Sequence, residues 1–168
     1  RLFGENRVQE AAGKWPLLKE RYPDCRLHLI GPLQTNKVKQ AVRLFDVIET
    51  LDRPSLAETI ASAFALLGIR RSLLIQVNTG REPQKSGVLP EDFNVLLNTA
   101  RTLDLPVIGL MCVPPVNEDP TPHFAMLEEL AKTYNLPHLS MGMSEDFPKA
   151  IAYGTSWVRV GTALFGQR

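Results

Sequence analysis

Apolar runs suited to strands alternate with runs of helical period along the whole chain, and nothing else in the sequence constrains the fold as strongly. Strand candidates fall at Leu2–Gly4, Arg26–Gly31, Asp46–Thr50, Ser72–Asn78, Pro106–Met111, Pro137–Met141 and Trp157–Val160. Most are continuous Val/Ile/Leu stretches, the pattern of parallel strands covered on both faces. Between them, Leu56, Ile60, Phe64 and Leu67 share one helical face, with Ser55 and Glu58 spaced as a capping box and Gly68 as the stop. Pro90 opens a helix whose stripe is Phe93, Leu96, Leu97, Ala100 and Leu103. Phe124, Leu127, Leu130 and Ala131 form another stripe, and Val8, Ala12, Trp15 and Leu18 one near the start.

Two architectures fit this order: an open doubly wound sheet, or a (β/α)8 barrel lacking a piece. A complete barrel needs about 200 residues or more, and this chain has 168. Seven strand candidates, and an Arg1 that runs straight into an apolar segment, favour the barrel. The expectation is one α/β domain over residues 1–168, a (β/α)8 TIM-type barrel with the first strand and its preceding helix missing from this chain. Such an opened barrel has two unpaired parallel edges, Leu2–Gly4 and Trp157–Val160, which are expected to lower stability or invite aggregation.

Charge and cysteine content narrow the function classes. Lys+Arg total 19 against 18 Asp+Glu, so no basic excess points to nucleic acid or anionic lipid, and an anion site must be local. Cys25 and Cys112 stand far apart and read as two buried free thiols in a reducing cytoplasm. His28, His123 and His138 are isolated, so no metal site is expected. No apolar run is long enough to span a membrane.

Both architectures place their sites at strand C-terminal ends. Ser140-Met141-Gly142-Met143-Ser144 follows the sixth strand, and Gly161-Thr162 follows the seventh. Gly142 allows close backbone approach, and Ser144 supplies a hydroxyl beside a helix start near Glu145. Free N–H groups at helix starts bind a phosphate without a basic cluster, and barrels commonly carry such a site on their last two loops. Arg159 interrupts the apolar run Trp157–Val160 on the face of Trp157. A charge pointing inward must be paired or hydrogen-bonded, so Arg159 reads as a fixed cation facing a ligand. Asn6, Gln34, Asn36, Gln76 and Asn78 are neutral hydrogen-bonding groups at other strand ends. Glu5 is the carboxylate nearest a strand end, and Lys37 and Lys85 are the loop lysines within reach of a site.

Several ordered blocks resemble one family. They are Phe3-Gly4-Glu5-Asn6-Arg7-Val8-Gln9-Glu10, His28-Leu29-Ile30-Gly31-Pro32-Leu33-Gln34-Thr35-Asn36-Lys37, Gln76-Val77-Asn78, Lys85-Ser86-Gly87, Gly109-Leu110-Met111, Leu139–Ser144 and Val158–Gly166. The chain resembles the pyridoxal phosphate homeostasis proteins, which share the barrel of the alanine racemase N-terminal domain. The resemblance implies a cytoplasmic, monomeric carrier of pyridoxal 5′-phosphate (PLP) that manages its supply to PLP-requiring apoenzymes, with no established catalytic turnover. It further implies that Ser144, Gly161 and Thr162 hold the phosphate, that Arg159 faces the pyridine nitrogen, that Asn6 approaches the ring and that Met143 lies beside the phosphate. The family's Schiff-base lysine belongs to a first-strand run resembling Val-Ser-Lys-Thr-Lys-Pro, which this sequence does not contain, so no catalytic residue is assigned.

Two other readings stay open at this level. A PLP-dependent amino-acid racemase would need a second acid/base group across the ring. Another phosphate-ligand-binding barrel enzyme, acting on a phosphorylated sugar or a flavin, would need an essential carboxylate, with Glu5 the candidate.

Overall fold

A computed structural model of the chain describes residues 1–166. It holds seven parallel strands in one sheet, each hydrogen-bonded to the next in sequence order. They are β1 (Leu2–Glu5), β2 (Arg26–Leu29), β3 (Val47–Leu51), β4 (Ser72–Gln76), β5 (Val107–Met111), β6 (His138–Met143) and β7 (Trp157–Arg159). All seven expected strands are present. The helices α1 (Val8–Arg21), α2 (Val38–Leu44), α3 (Pro54–Leu67), α4 (Phe93–Thr102), α5 (Thr121–Tyr134) and α6 (Phe147–Ala152) return the chain between strands, and α7 (Thr162–Phe165) follows β7.

Period-two alternation sorts each strand onto two faces. Leu27, Leu29, Ile48, Leu73, Ile75, Leu110, Leu139 and Met141 join the buried cluster packed against the helices. The residues between them, His28, Glu49, Leu74, Met111 and Ser140, are buried on the opposite face. That face is the inside of a curled sheet, because Glu49 on β3 reaches Ser140 on β6 and His28 on β2 meets Trp157 on β7. The architecture is a nearly closed barrel of seven β/α units, consistent with a (β/α)8 fold short of one unit. Strands β1 and β7 are the two edges of the sheet.

Local details correct the sequence reading. The capping box at Ser55 and Glu58 does not form: Arg53 is the N-cap of α3, Pro54 occupies its first turn, and the Ser55 carbonyl accepts from Thr59 Oγ1. Pro54, with its preset φ, starts the helix earlier than Ser55 would. Gly68 does end α3, at φ 64°. In α1 the buried stripe is Val8, Ala11 and Trp15, while Leu18 is exposed. Helix α4 begins at Phe93, after a 3-10 turn over Pro90–Asp92. The helix expected near Glu145 starts at Phe147, after a turn over residues 144–146. Sequence reading gave no helix over α2, whose seven residues bury only Val38, Ala41 and Val42 and so carry barely two turns of periodicity.

Candidate functional site

The tips of the last two strands lie side by side because Met143 on β6 is the register partner of Arg159 on β7. At and just beyond that pair the chain turns sharply on both strands. On β6, Gly142 has φ +91°, and a side chain there would place its Cβ 2.6 Å from that of Ala150. The following turn is closed by Asp146, whose Oδ1 accepts the Met143 N–H at 2.5 Å. Asp146 is also the N-cap residue of α6, so Ser144 is not the cap. On β7, Gly161 is the N-cap of α7, and its carbonyl accepts from the N–H groups of Leu164 and Phe165. The amides of Thr162 and Ala163, in the first turn, have no acceptor within the helix. Met143, Ser144, Gly161 and Thr162 are all wholly or partly exposed, so the Ser144 hydroxyl and the first-turn amides of α7 are open to a ligand.

Beneath the tips, Arg159 turns into the barrel. Its Nη1 donates to Ser140 Oγ at 2.6 Å and its Nη2 to the Cys112 carbonyl at 2.6 Å. Ser140 in turn donates to Glu49 Oε2 at 2.5 Å, and Glu49 Oε1 lies 2.6 Å from His28 Nδ1. Ser140, Glu49 and His28 are 0, 1 and 3% exposed. Trp157, one position along the same face of β7, meets the edge of His28 and stacks on His138. Four strands thus contribute to one polar line across the barrel interior.

The electrostatics follow from burial. Burial pushes the Arg159 guanidinium below the ordinary arginine value, and the Glu49 charge opposes that shift. Burial pushes the Cys112 thiol up to about 12, with Arg159 pulling the other way. The guanidinium is therefore a half-buried cation whose counter-charge lies one hydroxyl away, as a charge withdrawn from water requires.

The other candidates divide. Asn6 is exposed at the end of β1, on the far edge of the sheet, with its backbone against Gly31. Among the described residues no hydrogen bond joins it to the β6 and β7 tips. Glu5 is buried and committed to α1, its Oε1 accepting from Trp15 Nε1 at 2.8 Å and pairing with Lys14 Nζ at 2.7 Å. Gln76 donates to the Ser86 carbonyl, and Asn78 both donates to and accepts from the Glu82 backbone, so both close the loop after β4. Lys85 is held by the Pro114 carbonyl and Glu82. Gln34, Asn36 and Lys37 stay at or near the surface.

Sequence reading missed Glu49, His28 and Ser140 as partners in the polar line that holds Arg159. The signal was present: each is a polar residue inside an apolar strand, as Arg159 is. Cys25 and Cys112 are free and buried. Among the described residues no group of His, Cys, Asp and Glu could hold a metal ion, and no helix is long and apolar enough to cross a membrane.

The alanine racemase N-terminal domain family matches residues 1–168. A pyridoxal phosphate homeostasis protein of Aquifex aeolicus is 46% identical over 180 residues, covering all of this chain and 77% of that protein. This chain belongs to the pyridoxal phosphate homeostasis proteins. The human member of the family is 35% identical over 189 residues, across all of this chain and 68% of its own length. Among solved structures, PipY of Synechococcus elongatus with PLP bound superposes with a TM-score of 0.85 at 38% identity, over 98% of this chain and 81% of PipY. Alanine racemase of Clostridium difficile, at 12% identity and a TM-score of 0.75 over 99% of this chain and 45% of its own, shares the fold.

Proposed function

We propose that this chain binds PLP at the tips of β6 and β7 and serves PLP homeostasis as a carrier without catalytic turnover. The observation that carries this reading is the register pair Met143–Arg159, which sets a donor-rich rim above an inward-turned, hydrogen-bonded guanidinium. A phosphorylated pyridine presents two groups to a protein, a dianion and a ring nitrogen, and both have a counterpart here. Ser144 and the amides of Gly161 and Thr162 hold the phosphate in the manner of a helix start. Met143 flanks them, and Arg159 faces the ring nitrogen. Asn6 approaches the ring from the β1 edge. That the fold can hold PLP is supported by PipY, a family member whose structure has PLP bound.

When bound, PLP supplies an electron-poor ring whose power depends on the protonation of its nitrogen. Arg159 bears on that power directly. Arginine offers donors and no acceptor, so a ring nitrogen opposite it accepts a hydrogen bond and stays unprotonated. That weakens the ring as an electron sink and suits a carrier. A racemase needs a second acid or base, and Glu5, the carboxylate nearest a strand end, is already held by Trp15 and Lys14. The same engagement counts against an essential Glu5 in another phosphate-ligand enzyme.

The carrier reading extends to a cytoplasmic monomer that hands PLP to apoenzymes, and the two buried free thiols support a reducing compartment. Titration of PLP into the chain tests the reading. The expected result is saturable binding, weakened about tenfold or more by Ser144→Ala, transfer of PLP to an added apoenzyme, and no conversion of alanine. Absence of saturable binding, or steady turnover of an amino acid, overturns it.

A further inference from the structure

We propose that Glu49 is a positioning residue for Arg159, acting through the Ser140 hydroxyl, and that it thereby sets how the site meets a pyridine ring rather than a phosphate. The inference rests on the reading of the β6 and β7 tips as a PLP site.

Hydrogen-bond polarity fixes the argument. Arg159 Nη1 can only donate, so at 2.6 Å the Ser140 oxygen is an acceptor. Ser140 has one proton left to place, and Glu49 Oε2 stands 2.5 Å away to take it. The second oxygen of Glu49 faces His28 Nδ1 at 2.6 Å. An ionised Glu49 accepts both bonds, which assigns the His28 proton to Nδ1. Every donor in the line then points toward one carboxylate. With Nη2 tied to the Cys112 carbonyl, two separate nitrogens of Arg159 are anchored, and two anchors fix the plane of a guanidinium as one does not. Glu49 is 1% exposed and 49 lies on β3, far in sequence from β7. A carboxylate so placed carries the counter-charge of the half-buried arginine without touching the rim that receives the phosphate.

Two probes separate this role from a general structural one. PLP engages both the rim and Arg159, whereas inorganic phosphate engages the rim alone. Glu49→Gln is expected to weaken PLP binding on the order of tenfold and to leave inorganic phosphate binding unchanged. Ser140→Ala, which removes only the linking hydroxyl, is expected to do the same and carries the test if the first variant does not fold. In an Arg159→Ala background neither substitution should weaken PLP further, because the group they position is gone. Equal loss for both probes, or PLP binding unchanged in a folded variant, overturns the proposal while leaving the PLP site intact. Failure of the unaltered chain to bind either probe overturns the site reading itself.

Discussion

The backbone of Asn6 lies against Gly31 with no space for a methyl group: a Cβ on Gly31 would stand 2.7 Å from the Asn6 Cα. The turn after β1 and the turn after β2 are therefore packed on each other at the same end of the barrel. Replacing Gly31 by Ala should force the two turns apart. The expected cost is about 1–3 kcal/mol, read from denaturant midpoints, together with shifted amide resonances at Asn6 and Arg7. A Gly31→Ala chain with unchanged stability and spectrum would show that the contact is slack.

Acid stability should depend on Asp46. Burial alone would raise its carboxyl, but the Lys19 ammonium at 2.7 Å, the Leu27 N–H at 2.8 Å and the Arg71 charge outweigh it and hold the group below the ordinary carboxylate value. A carboxyl held low in the fold contributes stability that is complete above its unfolded value and is lost as pH falls through the folded one. Asp46→Asn should thus cost about 2 kcal/mol at pH 7, and its deficit should shrink as pH drops below about 4. A deficit that stays constant down to pH 2 would contradict the assignment.

Cys112 should be chemically silent in the fold. Its thiol is fully buried and pushed up to about 12 by burial, and the thiolate is the reactive form. Iodoacetamide at pH 8 is expected to label Cys112 only after unfolding, as read by peptide mass. Rapid labelling of the folded chain would mean that the strand beneath Arg159 opens readily.

The two sheet edges should govern association. Leu2 on β1 and Val158 on β7 are exposed, and Leu164 and Phe165 just beyond β7 are 72 and 78% exposed. Unpaired parallel edges with apolar side chains template pairing with another chain. A longer chain that supplies an eighth parallel strand between β1 and β7 should melt higher and stay monodisperse at concentrations where this one associates. Equal melting temperatures would refute that.

Much of this was legible in the sequence because the barrel repeats one instruction. Each strand is an apolar run finished by small or polar residues, so all seven strands could be placed from their own segments, and the turns after β6 and β7 from Ser140–Ser144 and Trp157–Thr162. The inward turn of Arg159 followed from alternation. The rest depended on contacts that no local pattern encodes. Glu49 and Ser140 are 91 residues apart in the chain and meet only because the sheet curls. Ser55 and Glu58 had the spacing of a cap, but Pro54 had already begun the helix. Glu5 looked free at a strand end until the Trp15 and Lys14 side chains of α1 folded back onto it.

A crystal structure of the chain grown with PLP tests the central claim most directly. The account predicts phosphate density against Ser144 and the amides of Gly161 and Thr162, with the ring nitrogen within hydrogen-bond distance of Arg159 and the Ser140–Glu49 line intact. PLP bound elsewhere, or a ring nitrogen turned away from Arg159, would contradict it.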